Sequence, residues 1–123
     1  MLDITENAML FKINKTFPKC KTSKDLYDAT RGIWKVSSKK DLAKYAFAVY
    51  QGEVKKVYKI TLWESVTPEL YEQLNRLEGW SEDYRKCWMF VGEVDELKSE
   101  KYKSKNISRY LSGRGTPINY VNC

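Results

Sequence analysis

The chain has 123 residues, 42% of them apolar and 14% aromatic, with 22 Lys and Arg against 16 Asp and Glu, no histidine and a formal charge of +6. A chain of this size suits one domain with one core, burying about two thirds of its unfolded surface, and its apolar content excludes a wholly disordered tail. The lack of histidine removes the commonest general base and the commonest metal ligand, so the expectation is a binding module with no catalytic residue, no metal and no cofactor.

No apolar run approaches the ~20 residues needed to cross a bilayer, and the opening Met1-Leu2-Asp3-Ile4-Thr5-Glu6 has neither a basic nor an apolar leader segment. Cys20, Cys87 and Cys123 are odd in number and far apart. That spacing points to reduced thiols in a cytoplasmic protein rather than to a disulfide framework or a zinc knuckle. Charge is unevenly spread. Phe11 to Ile60 carries 13 basic and 4 acidic residues, Thr61 to Glu100 carries 4 and 10, and Lys101 to the end carries 5 and 0. If the two basic stretches meet, they form a positive face opposite an acidic one, suited to phosphate backbones or acidic partners.

In chain order, Ala8 to Ile13 reads as a first strand after a polar start that is expected to fray. Thr22-Ser23-Lys24-Asp25 has the form of a capping box and opens a helix toward Thr30, ended by Arg31-Gly32. Gly32 to Val36 reads as a strand, and Ser38-Lys39-Lys40-Asp41 as a second capping box, opening a short helix to Lys44 or Tyr45. Ala46 to Tyr50 is apolar on both faces and is expected at the centre of a sheet or barrel. Gln51-Gly52-Glu53 supplies a turn into a strand from Val54 to Trp63, with Tyr58, Ile60 and Leu62 on one face and Val57, Lys59, Thr61 and Trp63 on the other.

Thr67-Pro68-Glu69 starts a helix in which Leu70, Leu74 and Leu77 recur up to Gly79. Trp88 to Val94 reads as a strand, with Gly92 a bulge or a point of close approach. Ser104 to Leu111 reads as a helix, and Ser112 to Pro117 separates it from a last strand, Ile118 to Val121. Short strands with hairpin pairing and short helices between them predict a single α+β domain, a small curved mixed β-sheet or barrel with short peripheral helices.

Four tryptophans and nine tyrosines interleave with lysines. Aromatic faces stack on bases at about 1 to 3 kcal/mol each while Lys and Arg hold phosphates. Trp34 beside Lys35 is one candidate, and Trp63, ending a strand that carries Lys55, Lys56 and Lys59, is another. Core packing is the competing explanation for each. Arg31-Gly32 permits close backbone approach just before Trp34, so Trp34 is expected nearer a ligand and Trp63 packed. Tyr50 joins the set at the end of its apolar strand. Arg114, between Gly113 and Gly115, is placed to meet an anion, although Gly113 also suits a helix C-cap. Asn119 and Asn122 flank the last strand, where side-chain amides suit reading a base edge or capping the chain end. Glu93-Val94-Asp95-Glu96-Leu97-Lys98 contains a carboxylate-x-Lys triplet of the kind metal-dependent nucleases use to hold Mg²⁺ and position water.

The runs Tyr27-Asp28-Ala29-Thr30-Arg31-Gly32-Ile33-Trp34-Lys35-Val36 and Tyr45-Ala46-Phe47-Ala48-Val49-Tyr50-Gln51-Gly52, then Val57-Tyr58-Lys59-Ile60 with Trp63, resemble the layout of PUA-like domains, which include the ASCH, EVE and YTH groups. The resemblance spans about Ser23 to Val121. It implies a small curved barrel that binds RNA or modified nucleobases in a cleft of aromatic and basic side chains, with Trp34 and Trp63 in the aromatic role. The insert from Glu64 to Arg85 departs from the smallest versions of that fold. The expected function is binding of nucleic acid, RNA or DNA, or of a nucleotide or modified nucleobase. A protein-interaction domain with opposed charged faces is the alternative, followed by a metal-dependent nuclease.

Overall fold

The computed structural model of the chain describes residues 4–36, 38–75, 87–111 and 117–123. Among these residues five strands are formed, β1 (Ala8–Lys12), β2 (Tyr45–Tyr50), β3 (Glu53–Ser65), β4 (Trp88–Val94) and β5 (Ile118–Val121). They lie side by side in the order β4-β3-β2-β1-β5, with β1 and β2 parallel and the other three neighbours antiparallel. The sheet is mixed, as expected, but β4 and β5 are separate edges, so among the described residues it is open and not a closed barrel.

β1 and β2 are apolar on both sides because both faces of the sheet are covered. One face carries Leu10, Phe47 and Val57 against Tyr102 and Ile107. The other carries Met9, Phe11, Tyr58 and Phe90 against Leu26, Tyr27 and Trp34. Ala46 and Ala48 also point to this second face. Their small side chains leave room for Leu26 and Tyr27 of α1 (Ser23–Arg31). A third cluster of Ile33, Val66, Cys87 and Met89 is closed by Leu70 and Tyr71 of α2 (Pro68–Asn75). The remainder of the helix predicted up to Gly79 lies outside the described residues.

Local chemistry sets the boundaries of α1. Thr22 caps it, accepting from Asp25 N–H at 3.1 Å, while Asp25 reaches back to Lys21 N–H at 3.1 Å. Gly32 ends it at φ +34°, its N–H returning to Asp28 C=O at 3.0 Å. Gln51 and Gly52, both at positive φ, form the two-residue loop between β2 and β3. Positive φ at both positions is the type I′ geometry that matches strand twist.

Two bulges reset the faces of β3. Ala48 faces Lys56 while Val49 faces Val54, so Lys55 is an extra residue and Val54 and Val57, three apart, enter the same core cluster. Further along, Ile60 faces Gly92 and Leu62 faces Val91, which leaves Thr61 extra. Trp63 therefore joins Tyr58 and Ile60 on the α1 face, contrary to the simple alternation read from the sequence, and Leu62 turns out to be 45% exposed. Gly92 sits opposite this bulge, where a Cβ would run into the main-chain carbonyl of Lys59. The close approach expected at Gly92 is real, while the extra residue is on the partner strand.

Three predicted elements differ. The strand expected over Gly32 to Val36 reduces to a single bridge in which Trp34 and Trp88 exchange main-chain hydrogen bonds of 3.0 and 2.8 Å, because the turn at Gly32 brings only Trp34 alongside β4. The helix expected from Ser38 is a 3-10 turn, Ser38–Leu42, cut short because Lys44 and Tyr45 N–H both turn to Asn7 C=O. The helix expected over Ser104 to Leu111 is mostly extended. Ser104 and Ile107 N–H donate to Val54 and Gly52 C=O, Val54 N–H donates to Lys105 C=O, and only Ser108–Tyr110 makes a 3-10 turn.

The helix on that side is instead α3 (Glu96–Tyr102), capped by Asp95, which accepts from Lys98 N–H at 3.0 Å. Ser99 of α3 continues the sheet ladder with its side chain, bonding Val57 N–H at 3.0 Å and Val57 C=O at 3.1 Å. The start of the chain is tied down from Ile4 onward. Ile4 N–H donates to the Tyr110 hydroxyl at 2.9 Å, Asn122 Nδ2 donates to the carbonyls of Ile4 and Glu6 at 3.0 Å each, and Glu6 accepts from Tyr102 and Lys98. No helix among the described residues is long and apolar enough to cross a membrane.

Candidate functional site

The 3-10 turn Ser38–Leu42 and the distal half of β3 do not touch along their whole length, and a cavity of about 530 Å³ opens between them. Its first wall is Lys40, Asp41, Ala43 and Lys44, and its second is Ile60 to Trp63, with Trp88 of β4 completing it. The volume lies in the range of small-molecule sites.

Sheet geometry brings the two indoles together. Phe90 lies opposite Trp63 and Trp88 opposite Ser65, so Trp63 and Trp88 are diagonal neighbours on one face. Trp63 leans on the Phe90 ring edge-on, with centroids 5.7 Å apart. Its Nε1 is buried and has no hydrogen-bond partner among the described residues, a polar donor left unsatisfied inside the wall. Lys40 Nζ lies 4.6 Å from the centroid of the Trp88 ring and 3.4 Å from Asp41 Oδ1. The lysine is thus held over an aromatic face by its own carboxylate partner. Lys44 is exposed at the rim. The cavity therefore combines flat aromatic surface, two cations, one carboxylate and the edge of a strand.

Among the described residues that the sequence singled out, Trp63 alone lines this cavity. Trp34, expected nearer a ligand, is 9% exposed, stands 5.3 Å from the Phe11 ring and donates Nε1 to Thr30 C=O at 2.8 Å. Of the two, Trp34 is the more buried, because the bridge to Trp88 draws it inward, while the Thr61 bulge turns Trp63 to the cavity side. Arg31 donates Nε to Phe90 C=O at 3.1 Å and lies over the Tyr27 ring at 4.9 Å, so it braces α1 against β4. Lys35 is exposed beside Trp34. Tyr50 stacks on Phe17 at 4.5 Å, at the hairpin end of β2. Asn119 is buried in β5. Arg114 lies outside the described residues.

The Glu93 to Lys98 run has structural employment. Asp95 caps α3, and Lys98 reaches Glu6 at 2.8 Å. Among the described residues no group of three or more His, Cys, Asp or Glu side chains stands close enough together to hold a metal ion.

The sequence reading missed Lys40, Asp41, Lys44 and Trp88 as site residues. Lys40 and Asp41 were absorbed into a capping box, and Trp88 into a strand start. The available signal was the four-residue spacing of Lys40 and Lys44 just before a central strand.

The chain matches no protein-family model, and neither curated proteins nor solved structures give a match.

Proposed function

We propose that this chain is a non-catalytic module that binds an unstacked nucleobase of a nucleic acid, or a modified nucleobase, in the cavity between Lys40 to Lys44 and β3. The observation that carries the reading is the convergence of Trp63 and Trp88 with Lys40 and Lys44 around one space of about 530 Å³. An indole gives a base a face to stack on, and the lysines stand where the adjoining phosphate is negative. The formal charge of +6 favours approach of such a ligand. The sequence pattern resembling PUA-like domains supports the same class of ligand, and membership of that superfamily belongs to this proposal.

Titration with single-stranded RNA and DNA oligonucleotides, followed by tryptophan fluorescence, tests it. Binding should quench emission, weaken steeply with salt, and weaken further when Trp88 or Lys44 is replaced by Ala. Oligonucleotide binding unchanged in both variants rejects this cavity as the site. A protein partner is the second reading, carried by Leu62, which lines the cavity and is 45% exposed, and by Leu42 of the 3-10 turn, which is 55% exposed.

A further inference from the structure

Four consecutive residues of β3, Ile60 to Trp63, line the cavity. The Thr61 bulge puts Ile60 and Trp63 on one face, yet Leu62, which turns to the other, lines the space as well, so the strand presents its edge there.

The direction of that edge follows from the neighbouring ladder. Trp88 exchanges both main-chain hydrogen bonds with Trp34, at 3.0 and 2.8 Å, and so points away from β3. Phe90 C=O accepts from Arg31 Nε at 3.1 Å and Gly92 N–H donates to the Tyr27 hydroxyl at 3.0 Å, in the same outward sense. Met89 and Val91 therefore face β3, where they meet Glu64 and Leu62. Trp63, between those two, turns its N–H and C=O to the opposite side of β3.

On that side β2 has already ended. The last bond between the two chain segments is Ile60 N–H to Lys44 C=O at 2.9 Å, and before Lys44 the chain leaves the sheet for the 3-10 turn. Among the described residues no main-chain group outside the strand ladders takes the Trp63 N–H or C=O. One donor and one acceptor, fixed in the plane of the sheet, thus face the cavity between the Trp63 side chain and the lysines.

Resting on the reading of the cavity as a nucleobase site, we infer that the main chain of Trp63 reads the Watson–Crick edge of an unpaired base. Every unmodified base carries a donor beside an acceptor on that edge. The strand N–H donates to the base acceptor, and the strand C=O accepts from the base N–H. Two consequences follow. A base in a duplex is refused because its edge is already used, and the identity of the base matters little because no side chain does the reading. The ligand is single-stranded nucleic acid, held by stacking, main-chain pairing and phosphate charge.

The test uses the full chain and labelled oligouridylate of about eight nucleotides, beside the same oligomer built from N3-methyluridine, which keeps the stacking face and removes the donor. Oligodeoxyuridylate in parallel separates RNA from DNA as the source. Methylation should weaken binding about ten-fold, the loss of one buried hydrogen bond. Pairing the oligomer with its complement should abolish binding. In amide NMR the Trp63 resonance should move on binding more than those of Leu62 and Glu64, which face β4. If the methylated oligomer binds within about two-fold of the parent while Ala at Trp88 still weakens both, main-chain reading fails and the cavity stands as a base site. If no oligonucleotide binds and an extended acidic peptide shifts the Trp63 and Ser65 amides, the nucleobase reading falls as well, and the edge is a strand-addition site.

Discussion

Glu6, near the start of the described chain, accepts the Lys98 ammonium at 2.8 Å although 92 residues separate them, and its side chain is only 8% exposed. The Tyr102 hydroxyl donates to the other carboxylate oxygen at 2.6 Å. Burial by itself would raise the Glu6 carboxyl, but the hydrogen bonds from Lys98 and Tyr102 together outweigh it and bring the group from 4.5 down to about 2. The pair pins the first segment to α3 across the edge of the core.

The first prediction follows from that shift. A carboxylate whose folded value lies below its unfolded one stabilises the fold fully above the unfolded value and loses this contribution as pH falls. The contribution is complete above pH 4.5 and disappears as pH drops toward about 2. Because Lys98 is partly exposed and solvent screens the pair, it amounts to about 1 to 3 kcal/mol. Urea unfolding at a series of pH values should show this loss in the wild type. Glu6→Gln should be less stable by a similar amount at neutral pH and should show a flatter acid limb. Equal slopes in the two proteins would rule out the Glu6 contribution.

Trp34 and Trp63 should separate by phenotype. Trp34→Ala removes a buried ring and its bond to Thr30 C=O, and should cost about 3 to 5 kcal/mol in thermal or denaturant melts. Trp63→Ala should cost less stability, since the ring is only partly buried, and should weaken oligonucleotide binding by about 1 to 3 kcal/mol. Early unfolding of the Trp63 variant with unaltered binding in its folded fraction would reverse the assignment.

Gly92→Ala should destabilise by about 1 to 3 kcal/mol, because the added Cβ meets the main-chain carbonyl of Lys59 and neither strand yields without loosening the bulge at Thr61. The same bulge aims Trp63 at the cavity, so ligand affinity should fall with stability. Chemical denaturation and a binding isotherm on one sample check both effects.

The melting temperature should stay the same in excess EDTA, as expected of a fold held by two apolar clusters on either side of a sheet. A drop of several degrees on adding chelator would reveal a structural metal.

Much of this molecule is legible in local sequence. The apolar run Ala46 to Tyr50, the Gln51-Gly52 turn, the Thr22 cap and the Gly32 stop each act within a few residues, so their chemistry predicts β2, the hairpin and α1. The α+β class follows from the same signals. The site was less legible because it depends on one inserted residue. Thr61 carries no mark that distinguishes it from its neighbours as a bulge, yet its insertion moves Trp63 from one face of β3 to the other. Ser38 to Asp41 has the form of a capping box and so predicts a helix, but the N–H groups of Lys44 and Tyr45 go to Asn7 C=O and the turn ends early beside the cavity. The sequence by itself determined which residues are apolar enough to form strands and where short-range caps stop the helices, because those preferences are settled within one turn of chain. Tertiary structure decided which face each strand residue takes and which strand edge stays open, because register and edge exposure arise only when strands from distant parts of the chain pair.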